Sequence, residues 1–129
     1  MNTLSENEIV KIVLDAAFKI HSELGPGLFE SVYEAVLEFE LKNKYNLSVQ
    51  RQVAIPVVWE EVKLELGFRA DMIIEHKVIV EIKSIEAIAP VHHKQLLTYL
   101  KLTGIKLGLL LNFNEELMKT GIKRIVNNL

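Results

Sequence analysis

The sequence contains no cysteine among its 129 residues, and it has only three prolines and six glycines. The lack of cysteine excludes disulfide bonds and thiolate metal sites, and it fits a reducing compartment. No apolar run approaches the roughly 18–20 residues needed to span a bilayer. The segment from Met1 to Glu6 lacks the basic and apolar stretches of a secretory leader. We therefore expect a cytoplasmic protein that does not bind membranes.

The charge of the chain is nearly balanced, with 15 basic and 17 acidic residues and a net charge of −2. This balance argues against a protein that coats nucleic acid through a broad basic surface, but it is compatible with a local basic groove. The chain has no internal repeat, low-complexity stretch or linker rich in proline and glycine. Its length is typical of one domain, so we expect residues 1–129 to form a single domain.

Two helices are predicted before the first strand. Ser5 followed by Glu8 is a capping-box pattern, which marks the start of a helix. Apolar residues then follow at helical spacing until Gly25-Pro26-Gly27 ends the segment. A second helix is expected over residues 28–44, with an apolar stripe made of Val32, Ala35, Val36 and Phe39.

The spacing of apolar residues then changes to the alternation of β-strands. Pro90 is well suited to the first turn of a helix, and residues 107–113 are almost entirely apolar, as in a strand covered on both faces. The predicted elements are strands at 47–55, within 56–65, at 68–74, 78–82 and 107–113, a helix from Pro90 to Gly104, and a short edge strand or loop at 121–126. This order predicts an α/β fold built on one mixed sheet that is flanked by helices.

Three charged residues interrupt the apolar strands. Glu81 and Lys83 lie two residues apart in Val78-Ile79-Val80-Glu81-Ile82-Lys83, so strand alternation places them on the same face. Asp71 interrupts the preceding strand in the same way. Charges inside a sheet cost several kcal/mol unless they are paired or bind a metal, so these three residues need a stabilising partner.

The turn between these two strands decides whether Asp71 joins the pair. A two-residue loop would place Asp71 opposite Ile82 and turn it away from Glu81. A three-residue loop, or one bulge, places Asp71 on the face of Glu81 and Lys83. We predict the second arrangement.

Two carboxylates beside a lysine form a hard-oxygen site suited to Mg²⁺ or Mn²⁺. A metal held by Asp71, Glu81 and the backbone carbonyl of Ile82 would activate water and polarise a phosphodiester. Lys83 would then orient the water or stabilise charge in the transition state. A surface ion pair on an amphipathic strand is the alternative, because Asp-x9-Glu-x-Lys strings are common.

Two helices offer accessory residues. Gln95 and Tyr99 share a face of the helix that follows the two strands, and they could hold a phosphate or the attacking water. Glu30 and Tyr33 lie one turn apart near the start of the second helix, where Glu30 could supply a further metal or water ligand. Taken alone, each also fits an ordinary core or solvated position.

Several blocks together resemble the GxxExxY proteins, which are grouped with the PD-(D/E)XK nuclease superfamily. Gly27-x-x-Glu30-x-x-Tyr33 is similar to the signature of that family. The similarity covers nearly the whole chain. It includes residues 23–27, Arg51-Gln52-Val53, Arg69-Ala70-Asp71, Glu81-Ile82-Lys83, Val91-His92 with Gln95, residues 99–104 and residues 108–113. Ala70 stands where the superfamily's name has proline.

The resemblance implies a restriction-endonuclease-like α-β-β-β-α-β core with an extra N-terminal helix. It also implies site roles: Glu30 as the helix carboxylate, Asp71 and Glu81 as metal ligands, Lys83 as the catalytic lysine, and Gln95 with Tyr99 as the accessory pair. The expected function is a Mg²⁺- or Mn²⁺-dependent nuclease acting on DNA or RNA, with DNA favoured. The alternative is a non-catalytic nucleic-acid-binding or assembly module that retains the fold. A homodimer or a partner subunit is compatible with either function.

Overall fold

The computed structural model describes residues 3–65 and 67–129, and its centre is a five-stranded sheet in the order β1-β4-β5-β6-β7. Only β5 and β6 run parallel, and the other neighbours are antiparallel. A separate hairpin pairs β2 with β3. The strands are β1 (Val49–Ala54), β2 (Val57–Trp59), β3 (Val62–Leu64), β4 (Arg69–Ile74), β5 (Val78–Lys83), β6 (Leu107–Asn112) and β7 (Ile122–Val126).

Three α-helices flank the sheet: α1 (Glu6–Leu24), α2 (Glu30–Asn43) and α3 (Pro90–Thr103). The predicted capping box of α1 is confirmed, because the Glu8 N–H donates to Ser5 Oγ and the Ser5 N–H donates to Glu8 Oε1. Pro90 lies at the start of α3, and Gly104 ends it in the left-handed conformation. A short 3₁₀ helix (Met118–Gly121) precedes β7.

The helices cover the two faces of the sheet. Side chains of α1 and α2 pack in one cluster with Met72, Val80 and Leu109, whereas α3 packs in a second cluster with Ile79 and Leu110. The prediction that β6 is covered on both faces is confirmed, because all six of its residues are buried. The order α2-β1-β4-β5-α3-β6 matches the expected α-β-β-β-α-β core. The additions are α1, the β2–β3 hairpin and the edge strand β7.

Most of the apolar stripe predicted for α2 does not face the core, although Val36 of that stripe packs against it. Val32 and Phe39 are exposed, with Phe39 at 59% of its accessible surface. The buried residues of α2 are Tyr33, Glu34, Leu37, Glu40 and Leu41. Tyr33 stacks on Phe113 with 4.4 Å between ring centroids, which turns this second stripe toward the sheet.

The turn between β4 and β5 has the predicted length. Met72 pairs with Val80 and Ile74 with Val78, so the three residues Glu75-His76-Lys77 form the connection. In the same register, the next residue pair after Met72 and Val80 is Asp71 and Glu81, so these two residues lie opposite each other. The hairpin therefore brings the two carboxylates to one level of the sheet.

Candidate active site

The β4–β5 ladder ends at the level of Asp71 and Glu81, where each carboxylate accepts a hydrogen bond from a backbone N–H of the opposite strand. The Asp71 N–H donates to Glu81 Oε2 at 2.6 Å, and the Ile82 N–H donates to Asp71 Oδ2 at 2.8 Å. Regular pairing is recorded only from Met72 and Val80 onward. Side chains thus satisfy backbone donors at the point where the strands separate, which leaves an opening lined with carboxylates.

The neighbouring strand is irregular at the same level. Gln52 of β1 has a positive φ of 52°, which is uncommon for a non-glycine residue. Arg51 and Met72 face α1 and α2, yet the next paired residues, Val53 and Ala70, pack in the α3 cluster. The strict alternation assumed from the sequence therefore fails beside Asp71. Local strain of this type is common at functional sites.

Burial and mutual repulsion shape the ionisation of the carboxylate pair. Glu81 is only 4% exposed, and burial followed by the Asp71 charge raises its pKa to about 8. Burial also raises the pKa of Asp71, although the hydrogen bond from Ile82 opposes this effect. The Lys83 ammonium lowers the pKa of both groups. Lys83 is therefore close enough to interact with both carboxylates.

Helix α2 brings two further carboxylates to the opening. Glu30 Oε2 accepts a hydrogen bond of 3.1 Å from the Ser84 N–H, directly after β5. Glu34, one turn later, accepts from Gln52 Nε2 at 3.0 Å and from Arg51 Nε at 3.1 Å. The negative charges of Glu34 and Glu30 both raise the pKa of Asp71. The α2 face is thus an acidic wall of the site.

The backbone of Ile82 points into the same opening. The Phe113 N–H donates to the Lys83 carbonyl, so the backbone groups of Lys83 point toward β6. Because consecutive backbone groups of a strand point to opposite neighbours, those of Ile82 point toward β4. The N–H of Ile82 does reach Asp71, and its carbonyl faces the same side.

Tyr99 and Gln95 approach from α3. Tyr99 is buried, and its pKa is raised by burial and next by the negative charge of Glu81. Gln95 is exposed on the same helix face and lines a cavity together with Tyr99. Tyr99 is therefore close enough to Glu81 for the two groups to interact electrostatically, whereas Gln95 lies at the surface of α3.

A model of the PD-(D/E)XK nuclease superfamily matches residues 7–125 of the chain. The chain belongs to this superfamily.

Members of the PD-(D/E)XK superfamily are generally nucleases. Among solved structures, the crystal structure of SSO0001 matches with a TM-score of 0.51 and 23% sequence identity. The match covers 91% of this chain but 66% of that protein, so the present chain spans slightly less than two thirds of it. This likeness supports the fold alone. No match is found among curated proteins.

A divalent ion fits the donors of this PD-(D/E)XK chain in part. The buried Glu81 carboxylate, the half-buried Asp71 carboxylate and the Ile82 carbonyl are suitable oxygen ligands, and Mg²⁺ commonly uses only one or two protein carboxylates. Over residues 3–65 and 67–129, however, no three His, Asp or Glu side chains are grouped closely enough to hold a metal. Glu30 is hydrogen-bonded to Ser84, so it does not complete a three-carboxylate set with Asp71 and Glu81.

Sequence reasoning assigned no role to Glu34 or Gln52. One signal for Glu34 was available, because it lies four residues after Glu30 and so on the same helix face. Gln52 had no local signal, since its positive φ and its bonds to Glu34 and Asp71 depend on the packing of β1.

In the part of the chain that the structure describes, no helix is long and apolar enough to cross a membrane.

Proposed function

We propose that this protein is a divalent-metal-dependent nuclease of the GxxExxY type that hydrolyses phosphodiester bonds of DNA, with RNA as the other possible substrate. The observation that supports this proposal most directly is a pair of hydrogen bonds across the separated strands. The Glu81 carboxylate accepts from the Asp71 N–H, and the Asp71 carboxylate accepts from the Ile82 N–H. A buried and a half-buried carboxylate with raised pKa values are costly to ionise together, and a cation would offset that cost.

The chain's own residues then have distinct roles. Asp71, Glu81 and the carbonyl of Ile82 would hold Mg²⁺ or Mn²⁺, which would supply Lewis-acid activation of a water and of the scissile phosphate. Lys83 places a positive charge beside the carboxylates, where it stabilises negative charge that develops on the phosphate. Tyr99 and Gln95 orient the phosphate or the water from α3. Glu30 would supply a further ligand through water.

Cleavage assays test this function. Purified protein is incubated with single-stranded, duplex and branched DNA and with RNA, in Mg²⁺, in Mn²⁺ and in EDTA. We expect metal-dependent cleavage of at least one substrate and a loss of about 10²–10³-fold in Lys83→Met, as for removal of one preorganised charge-stabilising group. Asp71→Asn should be inactive in the same assay.

The chain offers matched controls for both variants. Asp15 and Lys11 are exposed on α1, which supplies no residue of the proposed site, so Asp15→Asn and Lys11→Met should retain wild-type cleavage. Cleavage that persists in both Asp71→Asn and Lys83→Met would contradict the proposal, because it would come from a contaminant or another site.

One observation favours the second candidate, a non-catalytic nucleic-acid-binding or assembly module. Within residues 3–65 and 67–129 no three-carboxylate metal group is formed. Binding of nucleic acid without cleavage of any substrate, in Mg²⁺ and Mn²⁺ alike, would support this candidate.

We also infer association with a second copy or a partner subunit through the outer face of α2. Phe29 is 83% exposed, and Val32 and Phe39 extend the same apolar surface along the helix. Sedimentation over a range of concentrations should show a dimer that Phe39→Ser weakens. A monomer at every concentration would contradict the homodimer.

A further inference from the structure

A cavity of about 330 Å³ opens between α3 and the base of the β2–β3 hairpin. Its lining residues are Val57, Phe68, Gln95, Thr98, Tyr99 and Leu102. Two of them, Gln95 and Tyr99, also belong to the proposed active site. We propose that this cavity binds one unpaired nucleobase of the strand whose phosphate lies at Asp71 and Glu81, an inference that rests on the proposed function.

Aromatic walls make the cavity suitable for a flat ring. Phe68 and Tyr99 lie with 6.5 Å between ring centroids and 60° between ring planes. Phe68 is also 41% exposed, so part of its side chain remains accessible. Stacking of a base on an aromatic side chain contributes about 1–3 kcal/mol per base. Val57 and Leu102 complete an apolar enclosure of a kind that favours a nucleobase over a sugar or a phosphate.

Two polar groups are available to the edge of such a base. Gln95 carries an amide that both donates and accepts hydrogen bonds, and Thr98 carries a hydroxyl that does the same. Both residues are exposed on the α3 side of the cavity. Because each group can act in either direction, the cavity should accept more than one base.

The charge around the cavity suits the phosphates on either side of that base. Lys94 and Lys101 lie one helical turn before and after Thr98, so they flank the cavity on α3. Helix α3 contains no acidic residue, whereas α1 and α2 together contain eight acidic and three basic residues. A polyanion is therefore favoured on the α3 side of the sheet.

This geometry restricts the substrate class. A base stacked within a duplex cannot enter a side cavity, so it must be unpaired or must be turned out of the helix. The proposed enzyme should then prefer single strands, or duplexes with an unpaired nucleotide close to the scissile phosphate.

Binding in EDTA tests the cavity separately from cleavage. A fluorescent single-stranded DNA is prepared as a series in which one abasic site moves along the strand, and anisotropy gives Kd for each. The proteins are wild type, Phe68→Ala, Thr98→Met, which fills the cavity from α3, and the control Val58→Ala. Val58 is exposed on β2 but does not line the cavity.

We expect the abasic site to weaken wild-type binding about tenfold at one position of the strand, as for the loss of one stacked base. Phe68→Ala and Thr98→Met should reduce that penalty to less than twofold, and Val58→Ala should retain it. Circular dichroism identifies any variant that fails to fold, and the remaining cavity variant then decides the result.

Three results would overturn the proposal. The first is a wild-type Kd that does not depend on the position of the abasic site, and the second is a full wild-type penalty at that position in both cavity variants. The third is no binding of intact DNA in EDTA. These outcomes are distinguishable from a failure of the proposed function. Cleavage can be absent while the position-dependent penalty is present, and cleavage can be present while the penalty is absent.

Discussion

Glu81 is a carboxyl group that lies in an apolar strand, where it accepts a hydrogen bond from Asp71 and faces the Asp71 charge. Ionisation of both groups without a cation places two like charges in a region of low polarity. The raised pKa values of both carboxyls follow from this arrangement. The metal-free protein should therefore retain a proton on this pair at pH values where an isolated carboxyl is ionised.

Stability of the metal-free protein should fall as pH rises from about 5 to 8. The pKa of Glu81 rises from 4.5 to about 8 on folding, so the folded state holds a proton that the unfolded state has released. Unfolding free energy then decreases by up to about 1.4 kcal/mol per pH unit across this window, and it levels off above the folded pKa. Urea unfolding in EDTA measures the slope.

Glu81→Gln should reduce this slope, because it removes the titrating group and keeps a similar shape. Glu61→Gln, at the exposed turn of the β2–β3 hairpin, is the matched control and should keep the wild-type slope. Equal slopes in wild type and Glu81→Gln would show that another group causes the pH dependence.

At the scale of elements, the distance between α3 and β6 places Tyr99 and Gln95 relative to the strands. A Cβ added at Gly108 of β6 would lie 2.9 Å from three side-chain carbons of Leu96. Leu96 is fully buried on α3, three residues before Tyr99. The helix therefore depends on the absence of a side chain at Gly108 for its close contact with the sheet.

Gly108→Ala should destabilise the protein by about 1–3 kcal/mol, as expected for overpacking in a filled core. It should also lower cleavage, because the displacement of α3 moves Tyr99 away from Glu81. Urea unfolding and cleavage rates measure the two effects.

A double-mutant cycle provides the control for Gly108→Ala. Leu96→Ala removes the side chain that the new Cβ would meet, so the double variant should be more stable than the sum of the two single losses predicts. Additive losses would place the cause of the destabilisation elsewhere.

At the scale of the whole molecule, the sheet separates two layers of different charge. The α1–α2 layer carries most of the helical carboxylates, whereas α3 carries Lys94 and Lys101 without any acidic residue. The carboxylate-lined opening lies between these layers. A metal ion at the opening and a polyanion beside α3 are both consistent with this distribution.

Divalent metal should stabilise the whole molecule. A ligand that binds only the folded state raises the unfolding free energy by about 2.7 kcal/mol at 100 times its Kd. Mg²⁺ or Mn²⁺ should therefore raise the Tm of wild type, and EDTA should reverse the change. Asp71→Asn should lose most of this increase and Asp15→Asn should keep it. An equal increase in both variants would place the metal outside the proposed site.

Nucleic-acid binding should depend on salt through the α3 side of the molecule. Lys94→Gln and Lys101→Gln should each weaken binding in EDTA and reduce the slope of log K against log salt by about 1. Lys11→Gln makes the same charge change in the opposite layer and should leave the slope unchanged. A similar loss in all three variants would show that only the net charge matters.

Much of the local structure was predictable, because its causes lie within a few residues. The capping box of α1 is one example, since Ser5 and Glu8 satisfy each other's backbone donors without help from the rest of the chain. The three-residue β4–β5 turn is another: it followed from the requirement that charged residues meet on one face. Asp71, Glu81 and Lys83 were predictable as the candidate site because they are charged residues within apolar strands.

The buried face of α2 was not predictable, because the helix carries two apolar stripes. Packing of Tyr33, Leu37 and Leu41 in the core, which includes the stack of Tyr33 on Phe113, selects the buried stripe. The same orientation of α2 brings Glu34 to Arg51 and Gln52. The cavity next to Tyr99 is similarly absent from the sequence, since its walls come from α3, β2 and the segment before β4.

The sequence by itself determined the order of the elements, the charged residues within the apolar strands and membership in the superfamily. The tertiary structure decided how those charges are shared among Asp71, Glu81, Glu34 and Lys83, and which helix surfaces remain open. The physical reason is the distance along the chain over which each interaction acts. Hydrogen bonds along the chain and apolar periodicity act between near neighbours, whereas burial and the repulsion between carboxylates depend on residues that are distant in sequence.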